Sequence, residues 1–192
     1  MAGRPPASSR AEIEAVALRL FTDRGFDETT VDDIATEAGI GRRTFFRYFR
    51  SKNDVIWGEF DAGLERLRES LRAAPPDDDW WTALRRAVVE FNQLDPDEVP
   101  LHRVRMELIL HVPALQAYST LMYGAWRDVV AEFVAERTGT KPDDFEPALV
   151  GHTALAAAVA AYEQWLREPS RSLDRLLDEA MAWLAGHDVH DD

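Results

Sequence analysis

TTVDDIATEAGIGRRTFFRYFRSK, residues 29–52, holds two short helical patterns that meet across a glycine-flanked turn. The first sets Val31, Ile34, Ala35 and Ala38 at i, i+3, i+4 and i+7, one apolar face of a 3.6-residue period. Thr30 is placed to cap it, with Asp33 three positions on standing in for the Glu or Gln of a capping box. Gly39 ends it, because glycine takes the left-handed conformation after a helix without a steric cost, and Ile40 is expected to enter the core. A second helix is expected from about Arg42. Phe45 and Phe49, four apart, would face inward, while Arg42, Arg43, Thr44, Phe46, Arg47 and Tyr48 project outward. Two such patterns read as a helix-turn-helix.

The charge pattern tells which partner the second helix fits. Between Gly39 and Lys52 stand Arg42, Arg43, Arg47, Arg50 and Lys52 with no acid among them, in a chain of net charge −13. Residues 1–52 carry nine Lys or Arg against eight Asp or Glu, whereas residues 53–192 carry 13 against 27. An acidic body is repelled by nucleic acid, so the cationic surface is confined to one end, and a duplex major groove admits a single α-helix. Double-stranded DNA is the expected partner.

The motif G-I-G-x-R-T-x-F-x-Y-F-x-S-K, from Gly39 to Lys52, resembles the DNA-binding signature of the TetR family of one-component repressors, with the likeness running from about Ile13 to Ile56. That resemblance implies that Arg42, Arg43 and Thr44 reach base edges, that Tyr48 and Lys52 bind backbone phosphates, and that Thr30 approaches a phosphate from the preceding helix. Phe46 stands where the family usually has tyrosine, which leaves stacking or a thymine-methyl contact. Arg43 replaces a residue that is commonly small, adding a bidentate partner for guanine worth roughly 1–3 kcal/mol of discrimination.

Outward from this motif, residues 1–8 form a Pro-containing polar arm in which Arg4, like Arg10 just after it, is a candidate for the minor groove, a solvated tail being the alternative. Ser9 and Glu12 make a capping box for a first helix striped by Ile13, Val16, Ala17, Leu20 and Phe21 and closed at Gly25. Residues 9–52 then make a three-helix DNA-binding domain, and residues 53–192 a helical regulatory and dimerisation domain. Ser51 caps a helix expected to run unbroken from Lys52 to Ala74, stopped by Pro75-Pro76, which would act as the lever between them. Further helices are expected at about 80–94, 99–111, 115–138, 145–168 and 172–186, separated by Asp95-Pro96, Pro113, Gly139–Pro142 and Pro169. No alternating strand pattern occurs, so the fold class is all-α.

The segment Leu101–Val112 is apolar on nearly every side and is expected to lie centrally in the second domain. It nevertheless carries Arg103 and Arg105, which call for a partner: Glu107 or a surface carboxylate, or an anionic group of a bound effector. Phe60 and Leu64 of the lever, Arg103, Arg105, Met106 and Ile109, and Tyr118, Met122 and Trp126 of the next helix are the candidate effector contacts, if that interior is a pocket and not filled core. The last two helices read as a homodimer surface. Gly151, Ala154, Ala156, Ala157, Ala158, Ala160 and Ala161 permit close helix approach, and Leu173, Leu176, Leu177, Ala180, Met181 and Leu184 form a stripe. A symmetric dimer would read an inverted-repeat operator with half-sites ~34–36 Å apart.

Other function classes find little support. There is no cysteine, no glycine-rich phosphate loop and no G-x-S-x-G or H-E-x-x-H motif; Glu107 and His111 make the one helical pair with metal-like spacing. No cofactor or metal is called for, and the readings that compete are an effector-released repressor, a dimeric DNA-binding protein without an effector, and, behind both, a small metal-dependent enzyme. Residues 1–10 lack the apolar core of a signal peptide and the apolar run Ala148–Tyr162 is 15 residues, so a cytoplasmic protein with no membrane span is expected. The stretch VDDIATEAGIGRRTFFRYFRSKNDVIWGEFD, residues 31–61, is further similar to TetR-type regulators that accompany mycofactocin biosynthesis in actinobacteria. That likeness implies a fatty acyl-CoA effector, whose phosphates would suit Arg103 or Arg105.

Overall fold

Local capping sets the helix starts of the N-terminal region. In the computed structural model, which describes residues 9–186, Ser9 Oγ accepts the Glu12 N–H and the Glu12 carboxylate accepts the Ser9 N–H at 2.9 Å, starting α1 (Arg10–Arg24). Thr30 and Asp33 repeat this box at the start of α2 (Val31–Glu37). Gly25 (φ 92°) and Gly39 (φ 69°) lie in the region that favours glycine, at the ends of the first two helices. Then come α3 (Arg42–Tyr48) and α4 (Lys52–Trp57), the latter capped by Ser51. Ile13, Val16, Ala17, Leu20, Phe21, Ile34, Phe45, Phe49, Val55 and Ile56 are all buried and make one core, while Ile40 is only half-buried.

The expected lever of residues 52–74 is two helices. α4 stops at Gly58 (φ 54°, ψ −125°), and α5 (Phe60–Ala73) starts after it. The glycine conformation is one that side-chain-bearing residues avoid. The Gly58 carbonyl accepts a hydrogen bond from Arg10 Nη2 at 2.7 Å, so the break is held from α1. The remaining helices are α6 (Trp80–Phe91), α7 (Val99–His111), α8 (Pro113–Thr138), α9 (Phe145–Arg167) and α10 (Leu173–Ala185). Every regular element among the described residues is a helix.

The chain divides into two compact units. The first is residues 1–58 with 96–118, and the second is residues 59–95 with 119–192. Gly58 is the last residue of the first unit's N-terminal segment, and α7, expected at the centre of the second domain, packs on α1 within that unit. Of α7's apolar residues only Met106 and Ile109 are buried, and Leu101 is exposed. In the second unit α10 packs on α9 and α6, and α5 on α6. Arg137 on α8 donates to the Ala74, Pro75 and Pro76 carbonyls at 2.8–3.0 Å, meeting acceptors that the end of α5 leaves open. Arg85 on α6 pairs through two nitrogens with Asp178 on α10 (Nε to Oδ1 2.6 Å); that hydrogen bond holds the Asp178 carboxyl below its ordinary range.

Candidate nucleic-acid interface

The turn between α2 and α3 is built from backbone. The Ile40 N–H donates to the Ala35 carbonyl (2.9 Å), and the Thr44 and Phe45 N–H groups donate to Gly41 (2.8 and 3.1 Å), starting α3 without a side-chain cap. Fully buried Phe45 and Phe49 anchor α3, and their rings contact each other at 5.4 Å between centroids. That fixes the opposite face: Arg42, Arg43, Phe46 and Arg47 are exposed, Thr44 and Tyr48 half-buried.

These residues differ in how far they are already engaged. Arg43 has no hydrogen bond, ion pair or ring contact among the described residues. Arg42 donates through Nη1 to both carboxylate oxygens of Asp32 at 2.9 Å, and its guanidinium carbon lies 5.4 Å from the centre of the Phe46 ring. The Arg47 guanidinium lies 5.0 Å from the Tyr48 ring centre, and its Nη2 is 3.4 Å from the phenol oxygen. Thr30 Oγ1 donates to Asp33 Oδ2 at 2.5 Å and the Thr30 N–H donates to the same oxygen at 2.8 Å, and these contacts hold the Asp33 carboxyl below its usual range, while Thr30 Oγ1 accepts the Asp33 N–H. The Thr30 hydroxyl therefore holds the helix start in this structure.

Two cations expected on DNA are turned to structural use. The Lys52 ammonium donates to the carbonyls of Phe26 (2.7 Å), Thr29 (3.1 Å) and Asp27 (3.4 Å) and lies 4.3 Å from the Phe26 ring centre. It ties α4 to the link between α1 and α2. Arg10, a candidate for the minor groove, points inward. Its Nη1 donates to the Tyr48 carbonyl at 2.8 Å, its Nη2 to Gly58, its Nε to Glu14 at 3.2 Å, and it sits 4.5 Å from the Phe49 ring centre. Arg4 lies outside the described residues.

The candidate effector residues fall in both units. Arg103, Arg105, Met106, Ile109 and Tyr118 belong to the first, and Phe60, Leu64, Met122 and Trp126 to the second. Leu64, Met106, Ile109 and Trp126 are buried, and the others are half-buried. The partner of Arg105 is a carboxylate, and not the expected Glu107: Nη2 donates to Glu14 on α1 at 3.1 Å, while its buried Nε has no acceptor. Burial lowers the pKa of Arg103, and burial followed by the Arg105 charge pushes His102 down to about 4. Glu107 instead lies 3.4 Å from His111 Nδ1, one turn along the same exposed face of α7. Among the described residues no group of three or more His, Cys, Asp or Glu could hold a metal ion.

Sequence reasoning missed Asp32 and Glu14, the two carboxylates that hold Arg42 and Arg105. The i, i+4 spacing of Arg10 and Glu14 was the one local sign of the second.

Residues 13–56 match the family described as bacterial regulatory proteins, tetR family, and residues 78–188 match the MftR C-terminal domain. The chain is 46% identical over 178 residues to the proposed mycofactocin biosynthesis transcriptional regulator MftR of Mycobacterium tuberculosis, covering 93% of this chain and 90% of that one. It is 31% identical to the HTH-type transcriptional regulator EthR of Mycolicibacterium smegmatis, covering 79% of this chain and 72% of that one. Among solved structures it resembles Thermus thermophilus FadR, a TetR-family transcriptional repressor in complex with lauroyl-CoA. The TM-score is 0.60 at 25% identity, covering 96% of this chain and 97% of that one.

Proposed function

Since the chain belongs to the TetR family of bacterial regulatory proteins and carries an MftR-type C-terminal domain, we propose that it is a repressor that binds an inverted-repeat operator as a homodimer and is released by a fatty acyl-CoA. It is a DNA-binding transcriptional regulator and not an enzyme. The observation that carries the operator reading is Arg43, exposed and unpartnered on a helix whose other face is locked into the core by Phe45 and Phe49. An unpaired guanidinium on a rigid helix is free to make a bidentate contact to a guanine edge. Thr44 sits beside it, and Tyr48 and Arg47 extend the same face toward the phosphates.

Dimerisation is assigned to α9 and α10. Gly151, Ala154, Ala158 and Ala161 are buried within the protomer, where a Cβ on Gly151 would come 3.0 Å from the Arg127 carbonyl on α8. Their small size serves internal packing. The exposed stripe Phe145, Leu149, His152, Ala156 and Ala160, with Trp183 on α10, is what remains for a second copy.

The effector class rests on the lauroyl-CoA held by the Thermus thermophilus relative. Arg105 is already met by Glu14, which favours the second reading, a dimeric DNA-binding protein with no effector. A regulator of this kind acts where its operator DNA lies, which is the basis for the cytoplasmic reading. Among the described residues no helix is long and apolar enough to cross a membrane.

Selection of bound fragments from a random duplex pool, followed by competition with lauroyl-CoA, tests the whole reading. An inverted repeat released by lauroyl-CoA but not by free coenzyme A is the expected result. Selection of an inverted repeat that no acyl thioester releases would leave the effector-free binder, and failure to enrich any sequence would remove the repressor reading.

A further inference from the structure

Asp32 lies in the first turn of α2, three residues into a helix start fixed by the Thr30–Asp33 box. It reaches Arg42 at the start of α3 with both carboxylate oxygens on a single nitrogen, Nη1. Arg42 is braced on a second side by Phe46, whose ring is set edge-to-face against fully buried Phe45, at 5.4 Å and 89°. The Nε and Nη2 donors of Arg42 make no hydrogen bond among the described residues. Both members of the ion pair are well exposed, 61% and 65% by side chain, so the pair contributes little to folding.

We propose that Asp32 is a positioning residue for base reading, holding Arg42 by one nitrogen so that its opposite edge, Nε and Nη2, is kept for a guanine in each half-site. The proposal rests on the operator-binding reading above and adds a residue and a base to it. A guanidinium is a planar fork with five donors, and a carboxylate on Nη1 leaves an adjacent pair of donors with the spacing of guanine O6 and N7. An unrestrained arginine loses rotamer freedom when it docks; one already held between a carboxylate and a ring loses less. The same carboxylate repels phosphate, so it weakens contact with any sequence that cannot offer Arg42 its guanine. Asp32 thereby raises specificity from both directions. Phe46 in place of the family's usual tyrosine fits this use as a brace for the guanidinium.

The test uses the full-length protein on three kinds of duplex: the selected operator, operators with each half-site guanine replaced in turn, and random sequence. Asp32→Asn is expected to bind random duplex more tightly and to lose roughly tenfold discrimination at one guanine position per half-site. Asp32→Glu keeps the charge but displaces the carboxylate, and is expected to lose that discrimination without gaining random-duplex affinity. In an Arg42→Ala background Asp32→Asn should leave discrimination unchanged. Equal gains on operator and random duplexes for Asp32→Asn would reduce Asp32 to a repelling charge and overturn the proposal. So would an undiminished guanine preference in Asp32→Glu, a loss of discrimination on Asp32→Asn that persists without Arg42, or uniform losses that track a fall in thermal midpoint. If the wild-type protein prefers no sequence, the operator reading itself fails and the role of Asp32 falls with it.

Discussion

Arg105 and Glu14, 91 positions apart in sequence, form an ion pair at 3.1 Å. Glu14 is also held by Arg10, whose other two nitrogens reach the Tyr48 carbonyl at the end of α3 and the Gly58 carbonyl at the break before α5. One carboxylate, 11% exposed, therefore sits between two guanidinium groups and joins α1, α3, the α4–α5 break and α7. Arg105, Glu14 and Arg10 thus form a continuous chain of contacts from α7 to the end of the recognition helix.

Replacing Glu14 leaves both arginines without a counter-charge. Glu14→Gln should lower unfolding free energy by roughly 1–3 kcal/mol, less than for a fully buried pair because both arginines keep some solvent access. Arg105→Met, which removes only one cation, should cost less, and the double variant should cost less than the sum. Urea titrations of the four proteins read this directly.

Lys52 predicts a different pattern from the one its cationic surroundings suggest. With its ammonium spent on the Phe26 and Thr29 carbonyls, Lys52→Ala should destabilise the protein by ~1–3 kcal/mol, the range for hydrogen bonds to a charged group. Its operator affinity should fall with the salt slope unchanged. A phosphate contact would instead reduce the slope by about one unit and leave the thermal midpoint alone. Binding isotherms at three salt concentrations, paired with thermal melts, separate the two.

Much of the fold was legible because helix ends are local. Ser9 with Glu12, Thr30 with Asp33, and the glycines at 25 and 39 announce themselves within four residues, and so does the burial of Phe45 and Phe49. What escaped was set at long range. Nothing near Gly58 distinguishes a glycine tolerated inside a helix from one that ends it, and the group that holds the break is Arg10, 48 residues earlier. Leu101–Val112 looked central because apolar periodicity reports that a face is covered, not which unit covers it. In the candidate interface the cationic run was plain, but Asp32 and Lys52 show that charge counting cannot tell a side chain offered to DNA from one already paired.

His102 supplies a pH dependence. Burial, with the Arg105 charge as a second cause, lowers its pKa from 6.5 to about 4, so the folded protein keeps the imidazole neutral. Below pH 6.5 the unfolded chain takes up a proton that the native chain refuses, so this stabilisation is complete above about 6.5 and lost as pH falls toward 4. For a half-buried ring the loss should be ~1–2 kcal/mol, and it is read as the difference between wild type and His102→Asn in urea titrations from pH 7.5 to 4.5, about three decades. Because burial is the larger cause, Arg105→Met should raise the His102 pKa only part of the way.

Arg43 and Arg42 should behave differently although they are adjacent. Arg43 is unrestrained, so Arg43→Ala should cost ~1–3 kcal/mol on the operator and relax preference at one position in each half-site, with a much smaller loss on random duplex. Arg43→Lys should recover the random-duplex binding but not the preference, because an ammonium cannot reproduce the bidentate fork. Equal losses on operator and random sequence would assign Arg43 to the phosphates.

The last prediction concerns the exposed face of α9. Ala156 and Ala160 lie four residues apart on the stripe with Phe145 and Leu149 and are exposed in the protomer, whereas Ala154, Ala158 and Ala161 are buried within it. Ala156→Glu with Ala160→Glu should therefore leave the fold intact and place four carboxylates across a two-fold axis. Like charges brought together out of water cost several kcal/mol, enough to turn a micromolar-or-tighter dimer into a monomer at ordinary concentrations. Light scattering should show half the mass, circular dichroism the same helix content, and binding to the inverted repeat should fall to that of a single half-site. An acid-substituted protein that stays dimeric would move the two-fold axis off this stripe; one that becomes monomeric yet keeps full operator affinity would break the link between symmetry and DNA recognition.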